Sequence, residues 1–73
     1  MDRYVVVEIR NAVSKQLLAN QAISADAGTF QRRNLADRLV IESSADATDC
    51  YVVEHEIIDG TPTHILNKYP AAH

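Results

Sequence analysis

Of the 73 residues in this chain, one is cysteine, two are glycine and two are proline. The lone Cys50 rules out a disulfide within the chain, so no covalent staple compensates for a small core. Two isolated glycines, Gly28 and Gly60, cannot build a glycine-rich phosphate loop. No apolar run approaches the roughly 18 residues needed to cross a bilayer. The opening Met1-Asp2-Arg3-Tyr4 has neither the basic segment nor the small-residue cleavage site of a secretory signal, so a cytoplasmic location and no membrane association are expected. Positive charge is also scarce. A net charge of −3 argues against general nucleic-acid binding, which depends on Lys and Arg releasing counterions from phosphates.

The 47% hydrophobic content is too high for a disordered chain. Residues 1–73 therefore read as one compact domain, with the tail 70–73 expected to fray. A chain this short buries only about 60% of its unfolded surface and has no second lobe with which to form a deep cleft. Surface recognition is the default expectation. Charge divides along the chain: residues 1–41 hold six basic groups against four acidic ones, a balance of +2, whereas residues 42–73 hold Lys68 against six acidic groups, a balance of −5.

Residues 3–10 alternate, with Val5, Val7 and Ile9 on one side, and predict a half-buried strand. Residues 17–24 fit either a helix, by the propensity of Ala, Leu and Gln, or a strand with Leu17, Ala19, Gln21 and Ile23 on one face; the strand is preferred. Asp26 and Thr29 are both plausible N-caps for a helix over residues 30–42, whose Leu35, Ala36, Leu39 and Val40 would face a sheet. Residues 43–49 read as a loop. Tyr51, Val53, His55 and Ile57 then alternate up to Asp59-Gly60, and His64-Ile65-Leu66 follows: a hairpin. A two-residue turn pairs Val53 with Leu66, His55 with His64 and Ile57 with Pro62; a four-residue loop would instead set His64 opposite Ile57. Pro62 requires an edge, a bulge or a wider turn. The expected fold class is α+β, a single helix packed on an antiparallel sheet in ββαββ order. Its strand edges leave room for a homodimer.

Little of this is chemistry. His55, His64 and Cys50 fall short of a zinc site, because Cys50 lies on the opposite strand face from His55 and a third ligand is missing. The same geometry defeats a Cys–His dyad. Glu54 and Glu56 share a strand face and are expected to be solvated there. No cofactor, metal or catalytic group is expected. The helix arc Gln31, Arg32, Arg33, Asn34, Asp37 and Arg38 remains as the candidate partner-binding surface. Arg33 and Asp37 have the i,i+4 spacing of a surface pair, while arginine is the cation best suited to interface carboxylates and phosphates.

Four stretches carry a family resemblance: Tyr4-Val5-Val6-Val7-Glu8-Ile9-Arg10-Asn11, Gln21-Ala22-Ile23-Ser24-Ala25-Asp26, the basic helix Arg33-Asn34-Leu35-Ala36-Asp37-Arg38, and the hairpin containing Val53-Glu54. Over most of its length the chain resembles small phage-encoded anti-CRISPR proteins of the type I-F group. The resemblance implies a helix on an antiparallel sheet and a non-catalytic inhibitor that acts in the cytoplasm of the host bacterium. The implied partner is the RNA-guided surveillance complex, with direct nucleic-acid binding not expected. Arg33 and Arg38 would then correspond to basic helix positions that contact the complex where target DNA engages its guide. Two other classes compete with this one, a nucleic-acid module using the same arginines and a homo-oligomeric accessory protein joined through a strand edge.

Overall fold

The computed structural model describes residues 2–72. Its elements run β1 (Arg3–Asn11), β2 (Leu17–Ser24), α1 (Thr29–Glu42), a 3-10 turn (Ala47–Asp49), β3 (Cys50–Ile58) and β4 (Thr61–Pro70). The strands form one antiparallel sheet in the order β2-β1-β3-β4. The fold is α+β and follows the expected ββαββ order. The ambiguous segment 17–24 is a strand, because pairing with β1 from Tyr4↔Ser24 to Ile9↔Ala19 outweighs the helix propensity of its Ala and Gln.

The core lies between α1 and one face of the sheet. Val5, Val7 and Ile9 of β1 and Cys50 and Val52 of β3 meet Leu35, Ala36, Leu39 and Val40 of the helix, with Ala19 and Ile23 of β2 packed at the margin. Fully burying one such aliphatic side chain contributes about 1.5–3 kcal/mol. Neither Asp26 nor Thr29 caps the helix. The N-cap is Gly28, in extended conformation, and its N–H donates to Oε1 of Gln31 at 3.0 Å. The Gln31 side chain thus satisfies the cap from within the first turn, which makes a side-chain acceptor at the cap dispensable. At the other end the Ser43 N–H reaches the Leu39 carbonyl at 3.0 Å, and the Ser43 hydroxyl donates to the Val40 carbonyl at 2.9 Å.

β3 lies the other way up from its apolar alternation. Val5 pairs with Glu56, Val7 with Glu54 and Ile9 with Val52, so Cys50, Val52, Glu54 and Glu56 face the helix side while Tyr51, Val53, His55 and Ile57 take the uncovered face. The expectation of solvated glutamates is overturned: Glu54 is 1% exposed and Glu56 6%. Two facts explain the inversion. β3 carries apolar residues on both parities, and cations from elsewhere, Arg32 and Arg3, reach its glutamates.

The hairpin turns through Asp59 and Gly60, both at positive φ (52° and 82°), as a two-residue primed turn requires. The short-turn register holds for Ile58↔Thr61 and Ile57↔Pro62. Thr63 and Leu66 are then extra residues on β4, so the register slips at each. His55 therefore faces Ile65, His64 faces Glu56 and Val53 faces Lys68; neither the His55–His64 pair, the Val53–Leu66 pair nor the four-residue loop forms. Pro62 lies on an edge strand, as its missing donor demands. The tail expected to fray from residue 70 is held further on: Pro70 closes β4, and Ala71 is buried with its N–H on the Cys50 carbonyl at 3.0 Å. His73 lies outside the described residues.

Candidate functional site

The six residues of the predicted arc do not share one surface. Arg32 turns inward and is only 16% exposed; Nε donates to Glu54 Oε1 at 2.8 Å, Nη1 to the Ala27 carbonyl at 2.7 Å and Nη2 to Thr29 Oγ1 at 3.4 Å. It is an internal brace between the helix start and β3. The signal was present in the sequence, since Arg32 continues the Leu35, Ala36, Leu39 stripe at i, i+3, i+4 and i+7. Arg33 leans toward β4, its guanidinium 4.4 Å from the centre of the Tyr69 ring, and Asp37 one turn on is half-buried. Arg38 leans the opposite way, its Nη2 3.4 Å from Gln21 Oε1 on β2 and its Nε 3.8 Å from Glu42. Asn34 and Gln31 are exposed, the latter with its amide oxygen engaged at the cap.

Between these flanks runs a stripe that the predicted arc did not contain in full. Phe30, Asn34, Asp37 and Ile41 follow one another at i, i+4, i+7 and i+11 along the outward side of α1. Phe30 is 78% exposed and Ile41 77%. These two large apolar side chains stand about 16 Å apart along the axis. Both were detectable in the sequence, because both fall off the Leu35/Ala36/Leu39/Val40 stripe that fills the core. The sheet's uncovered face is less bare than its lack of a helix suggests. The ammonium groups of Lys15 and Lys68 each lie over the Tyr51 ring there, at 5.2 and 5.1 Å from its centroid.

The titratable groups form three local sets. Beneath the helix, Glu54 accepts from Arg32 and, through Oε2, from the Tyr69 hydroxyl at 3.2 Å. Burial first, then the Glu54 charge and this hydrogen bond, push the Tyr69 phenol up to about 12. Glu56 accepts from Thr63 Oγ1 at 2.9 Å and from Arg3 Nε at 2.9 Å, with His64 Nδ1 at 3.4 Å; the Thr63 bond and then Arg3 hold its carboxyl below the usual range. On the uncovered face Glu8 meets Arg10 Nε at 3.1 Å and His55 Nε2 at 2.8 Å. Burial pulls the Glu8 pKa upward, but these two partners outweigh it and leave the group below its ordinary value.

Each set looks inward, to structure. Every buried side-chain nitrogen or oxygen among the described residues has a partner within the chain. Cys50 is buried, its thiol pushed up by burial and by the charges of Asp49 and Asp46, which suits packing and not nucleophilic attack. Among the described residues no three His, Cys, Asp or Glu side chains converge as metal ligands would, and no helix is long and apolar enough to cross a membrane.

No protein-family model, curated protein or solved structure matches the chain.

Proposed function

We propose that this chain is a non-catalytic binding protein that inhibits a larger assembly by covering part of it with the outward side of α1. The observation that carries the reading is the exposed pair Phe30 and Ile41, set on one helix stripe with Asn34 and Asp37 and flanked by Arg33 and Arg38. Aromatic and arginine side chains around a small apolar centre are the composition of binding hot spots, and a helix presenting i, i+4, i+7 and i+11 anchors is a recurrent recognition element. Burying Phe30 and Ile41 against a partner removes apolar area that the isolated chain leaves in water. Arg33 and Arg38 supply charge on either side, suited to carboxylates or to the phosphates of a guide strand.

The resemblance to type I-F anti-CRISPR proteins supplies the candidate partner, the RNA-guided surveillance complex, and a mechanism by steric and electrostatic occlusion of target DNA. The test is capture of purified type I-F surveillance complex by the immobilised chain. Phe30→Ala and Arg38→Glu should each weaken capture by about 30-fold or more, the effect of losing a hot-spot residue, while leaving the melting temperature nearly unchanged. Capture that is unaltered by both variants would remove the helix from the interface. Steep salt-dependent binding of bare DNA or RNA, with no capture of the complex, would replace this reading by the nucleic-acid one.

A further inference from the structure

The two edges of the sheet are built differently. β4 carries Pro62, Pro70 and Lys68 together with the extra residues Thr63 and Leu66, all devices that hinder another strand from adding to an edge. β2 has only one of them, an extra residue at Leu18, where the register with β1 slips between Ile9↔Ala19 and Arg10↔Leu17. Leu17-Leu18-Ala19-Asn20-Gln21-Ala22-Ile23-Ser24 contains no proline and no charged side chain, and its pairing with β1 is regular from Tyr4↔Ser24 to Ile9↔Ala19. A proline-free, uncharged edge of this length is a template for strand addition.

The backbone groups available on that edge follow from alternation. The Asp59 N–H donates to the Asp2 carbonyl at 2.7 Å, so β1 residues of the same parity, Tyr4, Val6 and Glu8, bond to β3, and Val5, Val7 and Ile9 bond to β2. Their β2 partners Ile23, Gln21 and Ala19 thus point inward. Within the regularly paired stretch, the N–H and C=O groups of Asn20, Ala22 and Ser24 point away from the sheet, on residues that are all exposed.

We propose that β2 pairs antiparallel with β2 of a second copy of this chain, about a two-fold axis at Gln21, joining two four-stranded sheets into one. This register joins the outward groups of Asn20 and Ala22 to those of Ala22 and Asn20 on the second copy. Asn20 lies opposite Ala22 of the second copy and Leu18 opposite its Ser24; on the helix side Ala19 meets Ile23 and the two Gln21 amides meet each other, each able to donate and accept. A second copy fits better than an unrelated strand because the sequence is self-complementary about its centre and sets no like charges opposite one another. The nearest cation, Arg38, is bonded to Gln21 and lies beside Glu42. Closure favours it too. Among the described residues, the strand edges left at the ends of the joined sheet are the obstructed β4 edges, so assembly stops at the dimer.

The test is sedimentation and light scattering across a concentration series, together with amide hydrogen exchange. A concentration-dependent dimer is expected, in which the Asn20 and Ala22 amides gain protection as the dimer fills while Gln21 is protected at every concentration. Ala22→Pro deletes an outward N–H and spares the β1 ladder, and Asn20→Lys adds a charge to each strand across the axis; each should raise the dissociation constant by about tenfold or more. Asn67→Lys on β4 should leave it unchanged. If Ala22→Pro unfolds, as circular dichroism would report, Asn20→Lys and the exchange pattern still decide. A wild-type chain that stays monomeric at millimolar concentration, or a dimer whose Asn20 and Ala22 amides exchange freely, would overturn the proposal.

Discussion

Removing the Arg32 guanidinium should be the most damaging single change that leaves the aliphatic core intact. Glu54 is 1% exposed, and its Oε1 receives the Arg32 Nε at 2.8 Å. In Arg32→Met the stem volume is roughly preserved, but the carboxylate loses its guanidinium and keeps the Tyr69 hydroxyl at 3.2 Å, a neutral donor that does not balance its charge. Breaking a buried pair from one side costs about 3–5 kcal/mol; the retained tyrosine bond argues for the lower end, about 3 kcal/mol. A chain of 73 residues has a total stability of roughly 4–11 kcal/mol. The loss is therefore a large fraction of the whole and lowers the melting temperature by about 12–24 °C. Urea titration followed by circular dichroism measures it directly. The second variant, Arg32→Met with Glu54→Leu, buries neither charge and should recover most of the deficit. A deficit under about 1 kcal/mol for Arg32→Met, or a double variant no more stable than the single one, would refute the reasoning.

Three further outcomes follow from the same contacts. Glu8 and Glu56 have folded pKa values below the ordinary 4.5, so their contribution to stability is complete above that value and is lost as pH falls through the lower folded values; Glu56→Gln should flatten the acid limb of a stability–pH curve, and an unchanged limb counts against the Thr63 and Arg3 contacts. Tyr69 has the opposite sign: its pKa is raised from 10 to about 12, so its contribution is full below pH 10 and declines as pH rises toward 12, and Tyr69→Phe should remove a step near pH 12 from the tyrosinate absorbance titration. Gly60 sits at φ +82°, where a side chain is strained, so Gly60→Val should lower the urea midpoint by the equivalent of about 1–2 kcal/mol; an unshifted midpoint would contradict the turn.

The parts of the fold that a local rule governs were legible in the sequence. Alternation placed β1, i,i+4 spacing placed Leu35, Ala36, Leu39 and Val40 against the sheet, Asp59-Gly60 marked the turn, and the missing donor of Pro62 narrowed its place to an edge, a bulge or a wider turn, of which the edge is found. The parts that depend on distant partners were not. Glu54 reads as a surface residue until Arg32, far away in the chain, is brought onto it. The Thr63 and Leu66 insertions leave no mark in an edge strand whose side chains are nearly all exposed, so nothing in the alternation opposes a slip. The candidate surface divides in the same manner. Asn34 and Arg38 stand outward as their spacing indicated, Arg32 is withdrawn into the fold, and Phe30 and Ile41 gain their interest only from being left out of the core.

Because Val53 and Ile57 are buried on the side that no helix covers, oiliness alone does not tell β3 which way to lie. Its orientation is written in ionic language, by guanidinium groups that reward one rotation of the strand and would abandon two carboxylates in the other. A redesign that replaced those four charges with leucine would keep every ingredient of a well-packed sheet and erase the instruction that distinguishes its top from its bottom.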